Sequence, residues 1–340
     1  NYAYQDIINL NVYYPFGNEA LQQGGVINEL RDKSLIWEST SIVDLGFDLN
    51  LFEGKLDVIF DWYRKTTNDI LARQPVPASL GLSSPILNDG KMKNTGIELE
   101  VSHRNRIGEI SYGANALFST AKNELLHISV PGRGTTITEV GLPYGSHFLY
   151  EWDGIFQIDD IENPEIPDHV LNPSPNPGDL KMKDQNGDGV VDPEDRIVVD
   201  GAYPDYIYSF GFDVGYKGFT LNAFFQGVQG LKARVTNWGV DPFMQGTAPG
   251  TKWRDAWTPE NPTNTLPAIY VAGYQGVAAY TGSTYYLQDA SYLRLKNILL
   301  SYNFPVAFAS RIKAKGLSVY VSADNLFTWT DYEGGDPERA

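Results

Sequence analysis

The chain alternates between apolar and polar positions over long stretches, which is the pattern of β-strands. One of the clearest examples runs from Pro204 to Tyr216. There, large, mostly aromatic residues at every second position alternate with residues that are, except for Ile207, small or polar: Tyr206, Tyr208, Phe210, Phe212, Val214 and Tyr216 against Ile207, Ser209, Gly211, Asp213 and Gly215. Because successive side chains of a strand point to opposite faces, the pattern predicts one apolar and one polar face.

The alternating stretches form hairpins. We predict strands near residues 35–51, 55–67, 92–104, 109–122, 205–216, 219–230, 291–304 and 317–327. Short turns join the first three pairs, and a stretch from Pro305 to Gly316 joins the last. Between hairpins the predicted connections are far longer than ordinary loops, roughly 25 residues from Asn68, about 80 from Asn123 and about 60 from Gln229.

Short turns at one end and long loops at the other are typical of an outer-membrane β-barrel, whereas a soluble sandwich distributes its loop lengths more evenly. The predicted strands also exceed the usual five or six residues of globular proteins and are long enough to cross a bilayer at a tilt. No stretch near 18 apolar residues is present, so a helical membrane protein is excluded. The sequence therefore predicts an all-β, antiparallel transmembrane barrel segment with long extracellular loops.

Composition, charge and the absence of known motifs exclude several classes of binding partner and catalytic site. The formal net charge is -16, which argues against a nucleic-acid partner, and the absence of Cys removes thiolate sites and disulfides. The four histidines show no metalloprotease spacing, and no Gly-x-Ser-x-Gly or Walker motif is present. We therefore expect no enzymatic activity.

An acidic segment at residues 184–195 has the spacing of a calcium-binding loop. Side-chain oxygens stand at positions 1, 3, 5, 9 and 12, Gly189 at position 6 permits the sharp turn, and position 7 offers a backbone carbonyl. The expected ligands are Asp184, Asn186, Asp188, Val190, Asp192 and Asp195, where Asp195 replaces the usual Glu. We expect a structural Ca²⁺ that stiffens a long loop, and the alternative is a solvated acidic turn without metal.

Several motifs, in order along nearly the whole chain, resemble the SusC/RagA family of TonB-dependent outer-membrane transporters of Bacteroidetes. They are Trp37-Glu38-Ser39-Thr40, Asp44-Leu45-Gly46-Phe47-Asp48, Asp61-Trp62-Tyr63-Arg64-Lys65-Thr66-Thr67-Asn68-Asp69-Ile70-Leu71, Asn94-Thr95-Gly96-Ile97-Glu98-Leu99, Gly178-Asp179-Leu180-Lys181-Met182-Lys183-Asp184, Trp257-Thr258-Pro259-Glu260-Asn261-Pro262, Asp289-Ala290-Ser291-Tyr292-Leu293-Arg294-Leu295-Lys296-Asn297 and Ser322-Ala323-Asp324-Asn325-Leu326-Phe327. Together they are specific, although each one alone is weak.

The resemblance implies that residues 1–340 are the C-terminal portion of a larger, 22-stranded barrel, with the plug domain outside this chain. It implies an outer-membrane location, contact with membrane lipid and with the rest of the barrel and plug, and coupling to TonB through the missing N-terminal region. It also implies a SusD-like surface lipoprotein as partner and an oligosaccharide or peptide as substrate. Loop aromatics, among them Trp238, Trp253 and Trp257, are candidate substrate contacts, or else they pack on neighbouring loops.

Two other functions fit parts of the sequence. A soluble, calcium-stabilised all-β glycan-binding module or glycan-degrading enzyme predicts that Tyr206, Tyr208, Phe210 and Phe212 face a dry core. A passive porin needs neither a lipoprotein nor energy coupling. The transporter instead predicts an outward apolar band on those four residues.

Overall fold

The computed structural model describes residues 8–17, 20–29, 31–236, 248–269 and 281–339. The strands in these ranges are β1 Ile8–Phe16, β2 Ala20–Ile27, β3 Ser39–Leu51, β4 Leu56–Arg73, β5 Ile86–Ile107, β6 Ile110–His127, β7 Gly132–Arg133, β8 Thr136–Thr138, β9 Ser146–Tyr150, β10 Trp152–Ile155, β11 Asp168–His169, β12 Leu180–Met182, β13 Val190–Val191, β14 Arg196–Val199, β15 Tyr206–Tyr216, β16 Phe219–Gln229, β17 Lys232–Arg234, β18 Leu287–Asp289, β19 Tyr292–Asn303 and β20 Ser318–Thr330. One short helix, α1, spans Val306–Arg311, and 3₁₀ turns occupy Ala78–Leu80, Ile158–Asp160, Pro193–Asp195, Thr251–Asp255, Thr284–Tyr286 and Pro337–Arg339.

Eight long strands form one antiparallel sheet in the order β20-β19-β16-β15-β6-β5-β4-β3. All eight were predicted from the alternation, and the antiparallel barrel-segment fold is confirmed. The prediction of a connection of roughly 25 residues after Asn68 was wrong. β4 continues to Arg73 and β5 begins at Ile86, so only residues 74–85 lie between them.

The two faces of the sheet differ in polarity. On β15, Phe210 and Phe212 lie on the face we call the outer face, where they are 36% and 39% exposed, and Phe210 stacks on Phe225 of β16 at 4.7 Å. The opposite, inner face carries Asp213 of β15, which pairs in register with Asn222. The aromatic residues thus form an outward apolar band, as the transporter interpretation expects, and they do not face a dry core.

The turns between neighbouring strands cluster at one end of the sheet, here called the short-turn end. The β15–β16 turn consists of two residues, Lys217 and Gly218, with φ values of 47° and 91°. Positive φ at both central residues gives the turn whose twist matches that of the flanking strands. The connection between β19 and β20, which contains α1, lies at the same end, where the Asn303 N–H donates to the Gly218 carbonyl at 2.8 Å.

A β-bulge interrupts β19 at Lys296. Phe224 of β16 is opposite Asn297 while the next residue, Phe225, is opposite Leu295, so Lys296 is skipped in that ladder. The ladder to β20 is irregular at the same place, between Leu295 and Asn297. Bulges of this kind add a residue to one strand and increase its local twist.

His103 belongs to the alternating part of β5. The structure places it on the outer face, because it follows Ile97, Leu99 and Val101 at intervals of two. Its Nε2 lies 3.2 Å from the Tyr112 hydroxyl, which supplies a hydrogen-bond partner near the short-turn end. Among the described residues, no helix is long and apolar enough to span a bilayer.

Candidate functional site

The connection between β6 and β15 and the connection between β16 and β19 pack together at the other end of the sheet. We call this unit the loop assembly. Its core contains Tyr150, Leu180, Met182 and Val191 from the first connection and Tyr286 from the second. Backbone hydrogen bonds also join the two, since the Tyr150 N–H donates to the carbonyl of Gly282 at 3.1 Å. The described residues of the two longest connections therefore form one packed structure.

His169 links two strands inside this assembly. Its side chain is 2% exposed, its Nε2 accepts the Met182 N–H at 3.0 Å, and its Nδ1 lies 2.9 Å from the Pro167 carbonyl. A ring that accepts at Nε2 and donates at Nδ1 is the neutral tautomer. Burial lowers the pKa of His169 below its ordinary value, in agreement with a neutral ring.

The acidic segment 184–195 folds back on itself. Asp184 accepts the N–H groups of Gly187 at 2.7 Å and Gly189 at 2.9 Å. The backbone hydrogen bond from Gly189 is the largest effect that holds the pKa of the Asp184 carboxyl below its usual range. Asn186 Oδ1 accepts the Asp188 N–H, and Asp188 Oδ1 accepts the Val190 N–H, at 2.8 and 2.9 Å. Asp184, Asn186 and Asp188 each accept a backbone N–H from further along the segment, and these hydrogen bonds form a tight turn.

Asp195 lies differently from the other predicted ligands. It is fully buried, and its two carboxylate oxygens accept N–H groups from Gln185 at 2.8 Å and from Asp192 at 2.7 Å. Asp192 in turn accepts the Glu194 N–H, which completes a capping box around the 3₁₀ turn. The sequence Asp-Pro-Glu-Asp is a capping signature with Pro at the first helical position, so this role was readable from the sequence.

Five groups remain that could bind a cation. They are the side-chain oxygens of Asp184, Asn186, Asp188 and Asp192 and the backbone carbonyl of Val190. Among the described residues, no group of three or more His, Cys, Asp or Glu side chains is arranged around a common point. A metal at this loop would therefore depend on amide and backbone oxygens as well as carboxylates. Asp195 would support the loop from behind by fixing its backbone.

The candidate substrate aromatics are mostly buried in the loop assembly. Trp253 and Trp257 are 5% and 6% exposed. The indole N–H of Trp257 donates to Gln157 Oε1 at 2.9 Å, and its ring packs where Gly178 has no side chain. Both rings thus take part in the packing of the assembly itself. Trp238 lies outside the described residues.

Two clefts of the loop assembly meet at Trp253. One, of about 520 Å³, is lined by acidic residues and by Tyr285 and Tyr286; its carboxylates are Asp255, Asp289, Asp331 and Glu333. The other, of about 700 Å³, is more apolar and includes Trp257, Pro177 and Ile269. Aromatic edges beside carboxylates are suited to ligands that offer both an apolar face and hydrogen-bond donors.

A buried arginine, which the sequence analysis did not identify, holds the segment after β20. Arg294 is 6% exposed and donates through Nε to Thr328 Oγ1 at 2.8 Å. Its guanidinium also contacts Asp336 at 2.6 Å and Glu338 at 3.0 Å. An Arg on the inner face, followed some 40 residues later by two acids, gives no local sequence signal.

The outward apolar band, the polar inner face and the one-sided distribution of long loops define a segment of an outer-membrane β-barrel. The chain belongs to the family of TonB dependent receptor-like β-barrels, whose model matches residues 3–326. The resemblance to SusC/RagA transporters is confirmed, and the chain is part of an outer-membrane protein.

Individual relatives agree with this family assignment. The chain is 31% identical to the TonB-dependent receptor P3 of Formosa agariphila over 98% of its own length and 34% of that protein. It is 22% identical to the TonB-dependent receptor SusC of Bacteroides thetaiotaomicron over 99% of this chain and 33% of that one. A solved structure of the RagAB peptide transporter matches with a TM-score of 0.77 and 25% identity, covering 100% of this chain and 36% of that chain.

The chain spans about a third of the length of the curated relatives that it matches. Their names are those of receptors, and the matching structure is that of a transporter, which agrees with the expectation that the chain is not an enzyme.

Proposed function

We propose that the whole protein that contains this chain imports glycan or peptide oligomers across the outer membrane, with energy delivered through TonB. The observation that carries the proposal is the division of the sheet into an apolar outer face and a polar inner face. An aqueous lumen needs such a wall, and a substrate with many hydrogen-bonding groups passes along polar side chains. Family membership supports the coupling to TonB.

A SusD-like surface lipoprotein is the proposed partner. The similarity of this chain to SusC and to the RagAB transporter supports this partner. The support from this chain is the loop assembly, because the described residues of the two long connections form a packed platform at the loop end of the barrel. The acidic cleft beside Trp253 opens from this platform and is the proposed place of first substrate contact within this segment.

The test is purification of the tagged full-length protein from the outer membrane in mild detergent. We expect a heat-modifiable band well above 37.8 kDa, a co-purifying lipoprotein, and bound oligosaccharide or peptide identified by mass spectrometry. Substrate uptake by cells should stop when TonB is inactivated. Uptake that continues without TonB and without the lipoprotein would instead establish a passive porin, and a soluble protein whose band does not shift on heating would contradict the membrane function altogether.

We also propose that segment 184–195 binds a structural Ca²⁺. The support is the ligand spacing and the turn in which Asp184, Asn186 and Asp188 each accept a backbone N–H from further along the segment. Because Asp195 is fully buried and holds the backbone of the segment, five ligand groups remain and water would complete the shell. We expect weak affinity, on the order of 10⁻⁴–10⁻³ M as in extracellular calcium modules.

Limited proteolysis of the full-length protein in Ca²⁺ and in EDTA tests this proposal. We expect Ca²⁺ to slow cleavage within the acidic segment, and we expect Asp184→Asn with Asp188→Asn to abolish the difference. Asp159→Asn with Asp168→Asn, two neighbouring acids outside the segment, is the matched control and should retain the calcium effect. Equal cleavage of the native protein in both buffers would refute calcium binding.

A further inference from the structure

The connection between β19 and β20 differs in charge from the rest of the chain. We call residues 304–317 the rim segment. It carries Arg311, Lys313 and Lys315 and no acidic residue, whereas the whole chain has 26 Lys and Arg against 42 Asp and Glu. All three cations are exposed, and in the part of the chain that the structure describes none of them forms an ion pair. The segment therefore presents an uncompensated positive charge.

A row of aromatic rings fixes the side of the barrel on which the rim segment lies. Phe219 and Tyr302 face each other on the outer face, with ring centroids 4.4 Å apart. The Tyr302 ring contacts Phe304 at 4.8 Å, and Phe304 stacks on Phe308 of α1 at 5.1 Å. The row runs without interruption from the apolar band into α1, so the helix is placed on the outer side of the rim.

The rim segment also exposes apolar side chains. Val306, Phe308 and Ile312 are 69%, 45% and 58% exposed. The neighbouring turn adds Lys217, whose ammonium lies 5.2 Å from the Tyr216 ring centroid, with Glu109 as its charge partner at 3.2 Å. Apolar side chains interleaved with cations at the end of an apolar band are suited to the boundary between acyl chains and headgroups.

We propose that the rim segment binds the anionic headgroups of phospholipids in the periplasmic leaflet. Short turns of outer-membrane barrels lie on the periplasmic side, which places this segment at that leaflet. Arg311, Lys313 and Lys315 contact the headgroup phosphates, while Val306, Phe308 and Ile312 enter the acyl boundary. The inference goes beyond import and does not depend on which substrate is carried.

Lipid binding to the full-length protein tests the proposal. The protein in detergent is titrated with phosphatidylglycerol and, separately, with phosphatidylcholine, and bound lipids are counted by native mass spectrometry. We expect a preference for phosphatidylglycerol that the combined Arg311→Gln, Lys313→Gln and Lys315→Gln variant loses. Each cation near an anionic surface contributes about fivefold, so we expect the three substitutions together to cause a loss of about a hundredfold at low salt.

Matched controls make the result specific to the rim segment. The combined Arg133→Gln, Lys183→Gln and Arg254→Gln variant removes three exposed cations of the loop assembly and should keep its preference within about twofold. Heat-modifiable migration shows that each variant is folded. Equal binding of the two lipids by the native protein, or an unchanged preference in the rim variant, would overturn the proposal. Displacement of the lipid by millimolar glycerol phosphate would also overturn it, because the site would then bind a soluble anion.

Discussion

Replacement of Phe210 by lysine tests whether the outer face meets lipid. Tyr216 is the last residue of β15 and lies at the short-turn end, and Tyr206 is the first residue of the strand. Phe210 lies six residues from Tyr216 and four residues from Tyr206. Six residues rise about 20 Å along a strand, or about 15 Å along the membrane normal at a tilt of about 40°. The apolar band of outer-membrane barrels is about 25 Å tall, so Phe210 lies near its centre.

The expected cost follows from that depth. A lysine near the bilayer midplane costs about 2–4 kcal/mol, and loss of the stacked Phe210–Phe225 pair adds about 0.5–1.5 kcal/mol. We therefore expect Phe210→Lys to destabilise the folded barrel by about 2.5–5.5 kcal/mol. The assay is the rate at which the full-length protein, held in lipid vesicles at fixed temperature, loses its compact band on an SDS gel.

The adjacent residue provides the control. Ser209 lies on the inner face in the same strand, at nearly the same depth, so Ser209→Lys introduces the same charge on the opposite side. We expect this variant to unfold at a rate close to that of the native protein. If both variants unfold equally fast, or Ser209→Lys unfolds faster, the assignment of the two faces is refuted.

Three further predictions concern the long-loop end of the barrel. Arg294→Met removes a buried guanidinium and should destabilise the segment after β20 by about 1–3 kcal/mol. Protease should therefore cleave that segment faster in Arg294→Met than in the control variant Lys296→Met. Gly178→Ala should cost about 1–3 kcal/mol by thermal denaturation, because a Cβ at φ 98° would lie 2.7 Å from an indole ring; an unchanged transition would contradict the packing. Burial lowers the pKa of His147 and His169, so the loop assembly should lose stability as the pH falls below about 6.5; a flat protease-resistance profile from pH 8 to 5 would exclude this.

The long strands could be predicted because the membrane imposes their pattern. Lipid on one side and an aqueous lumen on the other select apolar and polar residues at alternate positions, and this appears directly in β15. The same reasoning explains the error at β4 and β5. Residues 68–73 and 86–91 extend the two strands beyond the predicted ends, and the mixed polarity of these extensions gives no alternating signal.

The loop assembly could not be predicted from local sequence. Its strands are short, and β11 and β13 contain only two residues each. Contacts between distant residues, such as that of His169 with Met182, hold them in place. The calcium-type loop at residues 184–195 could be predicted because its oxygen-bearing side chains lie close together in the sequence. The burial of Asp195 depends on the structure around the segment, although its capping signature was present in the sequence.

The bulge at Lys296 lets one strand change phase. On β19 the outer face is formed by odd-numbered residues before the bulge, Leu293 and Leu295, and by even-numbered residues after it, Ile298, Leu300 and Tyr302. In an unbroken strand, the gain or loss of one residue would turn half of the side chains inside out. In β19 the exchange of inner and outer faces already takes place at one residue, Lys296. The length of β19 can therefore vary by one residue at the bulge, while the long loop before this strand and the connection to β20 after it stay in position.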